Sequence, residues 1–439
     1  MCNPALPQKI KTGNGFAISG IFARLLIRIF LMRFFRGIKK RSSDAHFLAL
    51  DIGTDFIKAL VCEAQGTKGK ILGVARKQQK LGDMNSGVVT DIASVIANCH
   101  SAIREAENMA GVSAGKMILG ISGELVKGAT ITTSYVRRDA NSKIDLAELK
   151  NIVHKVQWRA FDQVRSQLSD ETGYSEIDVK LVNAAIVDVR IDGYKVVNPT
   201  GFQGKEVTLS IFNAFAPLVH YGALQTIACE IDKELLAIAA EPYALTRSLE
   251  HEDGQFGAIF LDIGGGTTNV AVVRDGTVEG TKMFTLGGRT FTKRLSQTLN
   301  ISFKEAEEIK LLYSEDKLER QSHRIVREAM KSDCDVWLSG VILTLESFEN
   351  VDVLPSKIFL SGGGAHLPEI KETLETMEWV KLLPFTRKPQ ISFLHPKMIS
   401  NLIDETKLLK DQQDIMPMAL ANLGLSFIGE EQPLSKVLK

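Results

Sequence analysis

The sequence predicts an α/β protein of two related halves, with a small α+β module inserted in the first. Two observations carry that reading. A strand–glycine–strand hairpin occurs twice, as LALDIGTDFIKALV and as IFLDIGGGTTNVAVV, with its aspartates Asp51 and Asp262 lying 211 positions apart. A repeat of this kind implies two structurally related units. Between residues 124 and 217 the texture changes from the strand–helix alternation of the flanks to one amphipathic helix and two long strands.

At 439 residues the chain is long enough for two to four domains. A hydrophobic fraction of 44% and an aromatic fraction of 7% fit a globular body. The formal charge of +1 gives no global argument for nucleic acid, and no nucleic-acid partner is expected. Cys2, Cys62, Cys99, Cys229 and Cys334 are scattered and show no CxxC spacing, which argues against a disulfide framework or a zinc site.

Taken in order, FLALDIGTDFIKALV opens a β-rich stretch running to about Val74. ASVIANCHSAIREAENMAG (93–111) has helical spacing and a glycine stop, and MILGISG (117–123) reads as a buried strand. In the module, LAELKNIVHKVQWRAFDQVRSQL predicts a helix, while NAAIVDVRIDGYKVVNP and KEVTLSIFNAFA predict strands with glycine-containing turns. HYGALQTIACEI predicts a helix, ELLAIAAEP a strand and YALTRSLE a helix. After the second hairpin come another strand region, a helical section over about 291–349, KIFLSGGGAHLPEI and a C-terminal helix containing MPMALANLGLSFIG. The expected organisation is an extension over 1–45, a first half over 46–123 and 218–250, the module over 124–217, a second half over 251–428, and a tail over 429–439.

The hairpin tips hold more than a turn requires. Gly264, Gly265 and Gly266 follow Asp262, and Thr267 and Thr268 follow them; Gly53 and Thr54 follow Asp51. Glycine lets backbone amides approach a ligand closely, and successive amides in a tight turn make an anion-binding concavity. The threonine hydroxyls add donors. Two aspartates would repel a bare phosphate, so a divalent cation is expected between them. Mg2+ suits carboxylates together with phosphate and water. The predicted site is a pair of hairpins gripping one triphosphate from opposite sides, with Asp51 and Asp262 as metal ligands. Gly362, Gly363 and Gly364, between a strand and a helix, can accept a nucleotide base or phosphate.

These segments, with VVT…GISG, LGGRTFT and EAEEIK, resemble the actin-like ATPase superfamily and, within it, the FtsA family of bacterial cell-division proteins. The resemblance covers about residues 46–428. It implies an actin-like (ribonuclease H-like) two-domain ATPase fold with an inserted α+β subdomain of the SHS2 type. Asp51, Gly53 and Thr54 match the first phosphate loop, and Asp262 with Gly264, Gly265, Gly266, Thr267 and Thr268 the second. Glu241 begins the second hinge segment, Gly288 lies in LGGRTFT, Glu307 and Lys310 match the ribose and adenine pair, and Gly362, Gly363 and Gly364 match the adenosine loop. Read without the resemblance, Glu307 and Lys310 are an exposed i,i+3 ion pair. The implied cofactors are ATP and Mg2+; the implied partners are an FtsZ-like division protein and further copies of the chain in a filament. Asn269 and Arg294 stand where the family usually or often has an acid. No general base stands out, so turnover at most slow is expected, with the nucleotide acting as a switch. A type IV pilus scaffold resembling PilM is the alternative; a sugar kinase would need a catalytic aspartate that is not found.

Residues 24–41 contain Arg24, Arg28, Arg33, Arg36, Lys39, Lys40 and Arg41 and no acid. Leu26, Ile27, Phe30, Leu31 and Phe34 share one helical arc opposed by arginines. That pattern predicts an interfacial helix over 18–40 on an anionic membrane surface, tethering the protein to the cytoplasmic face of the cell membrane. Two other readings stand beside it: a core-facing helix, and an upstream extension with translation starting at Met32.

Overall fold

Strand β1 (His46–Ile52) is buried along its whole length, as expected of a strand covered on both faces. The computed structural model describes residues 45–123, 125–173, 177–249, 256–348 and 351–428. The segment 18–40, read above as a membrane helix, and the tail 429–439 lie outside the described residues.

β1 continues into the antiparallel strands β2 (Phe56–Gln65) and β3 (Lys68–Gln78), then a short ribbon of β4 (Met84–Asn85) and β5 (Val88–Val89). Helix α1 (Ile92–Ala110) starts where the Asp91 carboxylate accepts the Ser94 amide and stops at Gly111, whose φ of 71° admits glycine easily. β6 (Lys116–Ile121) runs parallel to β1. The module then contributes β7 (Lys127–Val136), α2 (Leu146–Thr172), β8 (Val179–Ile191), β9 (Tyr194–Lys195) and β10 (Glu206–Pro217). The first half resumes with α3 (Leu218–Ile231), β11 (Glu234–Ala240) and α4 (Glu241–Thr246). Glu241 and Pro242, read from sequence as the end of a strand, instead open α4; proline fits a first helical turn, where its missing N–H is no loss.

The second half repeats the opening. β12 (Ala258–Ile263), β13 (Thr268–Arg274) and β14 (Thr277–Phe284) form an antiparallel meander. The expected helical section resolves into α5 (Gly288–Leu299), α6 (Phe303–Ser314) and α7 (Arg320–Glu346), with a capping box between Ser302 and Glu305 starting α6. β15 (Lys357–Ser361) runs parallel to β12, as β6 does to β1. Then come α8 (Pro368–Leu374), β16 (Gln390–Phe393), β17 (Leu402–Asp404) and α9 (Ile415–Ile428).

The strands form a six-stranded sheet, β11-β6-β1-β2-β3-β17, and a nine-stranded sheet, β16-β15-β12-β13-β14-β7-β10-β8-β9. Two features depart from the sequence reading. The end of the stretch assigned to the second half returns to the first: β17 pairs with β3, and α9 packs on β1 and α4, where Gly424 lies so close to Phe47 that a β-carbon would sit 2.5 Å from its ring. The module's sheet also joins that of the second half, because β7 pairs with β14 at Gly280–Ala129 and Thr281–Gly128. Among the described residues no helix is long and apolar enough to cross a membrane.

Candidate functional site

The two hairpins present the same register. Asp51 faces Lys58 across β1–β2, and Asp262 faces Asn269 across β12–β13, each pair seven residues apart. Both tips close on the same backbone bond, from Gly53 N to the Phe56 carbonyl (3.1 Å) and from Gly264 N to the Thr267 carbonyl (2.8 Å). The aspartates are nearly buried, at 3% and 6% exposure. Asp51 Oδ2 lies 3.2 Å from Lys58 Nζ. Asp262 accepts from neutral donors, Ser361 Oγ at 2.8 Å and Asn269 Nδ2 at 3.4 Å, with the Lys58 charge acting on it without a direct bond. Burial pushes its pKa above the usual range, against the pull of Ser361. Glu241, at the start of α4, is pushed well above its ordinary value by burial first and by the charges of Asp51 and Asp262 next, with Ser122 as a hydrogen-bond partner. Asn269 Oδ1 is buried without a hydrogen-bond partner.

The tips approach one another across the cleft. A β-carbon on Gly265 would lie 2.0 Å from Asp55 Oδ2, and one on Gly266 would lie 3.0 Å from Thr54 Cγ2. Only glycine permits this contact. Helix α5 starts against the second tip, its Gly288 and Arg289 amides donating to the Gly264 and Gly265 carbonyls at 2.9 and 2.7 Å.

A third wall comes from α6 and the loop after β15. Lys310 is 7% exposed and donates to Glu307 Oε2 (2.7 Å), Thr292 Oγ1 (2.8 Å) and the Gly288 carbonyl (3.1 Å). The Glu307–Lys310 pair is therefore no free surface bridge; it fastens α6 to the start of α5. Gly362 has a φ of 84°, and a β-carbon there would sit 2.3 Å from the Ile263 carbonyl oxygen, so the loop lies directly on the end of β12.

One cleft of about 250 Å³ is lined by Asp51, Gly53, Thr54, Glu241, Asp262, Gly264, Gly265, Thr267, Gly288, Glu307, Lys310, Gly362, Gly363 and Gly364. The expected Gly266 and Thr268 do not line it. The reading of Thr268 as a donor at the tip is corrected: it is fully buried, its hydroxyl donates to the Leu286 carbonyl (2.7 Å) and accepts from the Trp337 indole (2.9 Å). Strand alternation turns Thr268 away from the side to which Asp262 and Asn269 point. Arg294 is also outside the cleft, held to Asp333 on α7 by both its Nε and Nη2. Sequence reasoning missed Asp55, Lys58 and Ser122, which line the cleft. The hairpin repeat itself could have found Lys58, since it occupies the place of Asn269.

Among the described residues no group of three or more His, Cys, Asp or Glu side chains is arranged to hold a metal alone. A cation between Asp51 and Asp262 would need further oxygens from a ligand or from water.

Two repeated hairpin halves, each with a parallel strand beside its first strand, define the fold of the actin-like ATPases. The solved PilM–PilN type IV pilus biogenesis complex has a chain of this shape, with a TM-score of 0.60 at 17% identity over 88% of this chain and 99% of that one. Residues 259–404 match the family model described as cell division protein FtsA. FtsA of Enterococcus hirae is 24% identical over 349 residues, covering 74% of each chain. FtsA of Pseudomonas aeruginosa is 22% identical over 429 residues, covering 90% of this chain and 97% of the relative. The two relatives are cell-division proteins, and the solved structure shares the fold.

Proposed function

We propose that the cleft binds ATP with Mg2+ and that the bound nucleotide governs assembly of the chain into filaments on the cell membrane, where it anchors an FtsZ-like ring protein. The observation that carries the nucleotide reading is the convergence of both hairpin tips, the Glu307–Lys310 pair and the Gly362–Gly364 loop on one cleft. The residues present suit such a ligand. Bare glycines leave room for phosphate oxygens, Asn269 Oδ1 is an unpartnered acceptor, and Asp51 and Asp262 line the cleft with Lys58 paired to Asp51, an arrangement that a divalent cation beside Asp262 would suit. Asp51 and Asp262 would face the cation, the tips the phosphates, and the third wall the ribose and adenine. Burial and the charges of Asp51 and Asp262 raise the Glu241 pKa well above its ordinary value, so a cation placed beside these groups would pull it back down.

Residues 124–217 would supply contacts between subunits or with partners, and the segment 18–40 the contact with anionic lipid. A second reading, a pilus-assembly scaffold, is favoured by the likeness to the PilM–PilN chain over nearly all of that chain. Co-purification from native membranes separates the two by the partner recovered.

The site is tested by calorimetry. Asp262→Ala removes a carboxylate from the proposed metal position and is expected to weaken Mg-ATP binding at least about tenfold, about 1.4 kcal/mol. Unchanged affinity would reject this placement of the metal.

A further inference from the structure

One ion pair at the edge of the cleft, between the start of α5 and the tip of the first hairpin, is left without a task by the reading above. Arg289, the second residue of α5, donates from Nε to Asp55 Oδ1 and from Nη2 to the Thr54 carbonyl (2.9 Å). Arg289 belongs to the second half; Asp55 and Thr54 form the tip of the first hairpin. The side chains are 16% and 29% exposed, so the pair is partly shielded from water.

Its position is specific. Asp55 lines the cleft. Its carboxylate lies over the bare backbone of Gly265, so close that a β-carbon there would overlap Oδ2. An anionic carboxylate, set against a glycine tip and held by one guanidinium N–H while a second N–H bonds the Thr54 carbonyl, has the chemistry of a bound phosphoryl oxygen, since arginine takes carboxylate and phosphate oxygens through the same donors. We propose that Asp55 is an internal stand-in for the terminal phosphate of a nucleoside triphosphate, and that Arg289 is the residue that distinguishes triphosphate from diphosphate. Asp55 occupies Arg289. A triphosphate brings a more highly charged competitor to the same tips and takes the guanidinium from Asp55; a diphosphate does not reach it and leaves the pair closed. The inference rests on the nucleotide reading of the cleft.

A plain structural clasp between the halves predicts something different. Breaking it would change the affinity for both nucleotides together, because neither would be in direct competition with Asp55.

The test is calorimetric titration of the full chain with ATP and with ADP, both in the presence of magnesium, for wild type, Asp55→Asn and Arg289→Ala. Asparagine keeps the size of the aspartate and removes the charge that opposes an incoming phosphate. Asp55→Asn is expected to tighten ATP roughly tenfold while changing ADP little, a size within reach of one like-charge contact near a protein surface. Arg289→Ala is expected to weaken ATP by a similar factor with little effect on ADP. Thermal melting of each variant confirms that the comparison is made on folded protein, and Arg289→Lys serves if the alanine variant does not fold. An ATP-to-ADP affinity ratio unchanged from wild type in the folded variants overturns this proposal alone. Failure of the wild type to bind either nucleotide overturns the nucleotide reading and this proposal with it.

Discussion

The two hairpins share a backbone and differ in electrostatics. β1–β2 and β12–β13 have the same register, the same tip hydrogen bond and an aspartate at the same place. Yet Asp51 faces an ammonium group, 3.2 Å from Lys58, whereas Asp262 faces an amide and a hydroxyl. The difference shows what a repeat conserves by physics. Turn geometry and strand pairing are set by glycine and by β-pattern, so both copies keep them. The charge opposite the aspartate is set by one side chain, and one substitution separates the copies.

Breaking the first hairpin at its charge should have the largest effect. Asp51→Asn keeps the shape but leaves the mostly buried Lys58 ammonium, 17% exposed, without its carboxylate. An uncompensated charge of this kind costs about 3 kcal/mol, read as a lower midpoint in urea unfolding. The second hairpin, treated in the same way, should lose less: Asp262→Asn keeps the shape and removes a carboxylate that burial already disfavours, with an expected loss of about 1 kcal/mol or none. Equal losses in the two variants would erase the distinction drawn here. Between these falls Thr268→Val. It leaves the Trp337 indole N–H and the Leu286 carbonyl without their partner and should cost about 2 kcal/mol, with Mg-ATP affinity unchanged because the hydroxyl faces away from the cleft.

The smallest effect concerns pH. Glu241 holds its proton above the ordinary value of 4.5 in the folded chain. Over the window above that value the folded state therefore binds more protons than the unfolded state, so stability falls as pH rises through it. Glu241→Gln removes that slope. The variant should match wild type near about pH 4 and gain on it toward about pH 7, read as a difference in chemical-denaturation midpoint that grows with pH. A constant difference across that range would mean that Glu241 is charged in the folded, ligand-free protein.

What was legible in the sequence was local. The hairpins, the α1 stop at Gly111, the module's helix and strands and the loop at Gly362 are each written in fewer than about thirty consecutive residues, in period and in glycine placement. What was hidden depends on distant pairings. Arg289 meets Asp55 across 234 positions, and β17 meets β3 from the far end of the chain. Thr268 was misread for a different reason: two adjacent hydroxyls look equivalent in a list of residues, but consecutive residues entering a strand point to opposite sides.

The β7–β14 seam has a mechanical consequence. The module is covalently part of the first half, since the chain leaves it after Ile121 in β6 and returns through Pro217 at the end of β10. Its sheet is nevertheless fastened to the second half by two residue pairs, where Gly128 lies so close to Thr281 that any side chain would push them apart. The module is thus a tie-rod spanning the hinge between the halves. The Thr130 hydroxyl, donating to the Val278 carbonyl, adds to this seam, and each such hydrogen bond contributes about 1 kcal/mol. Rotation of one half against the other would therefore load this seam, where few groups resist it.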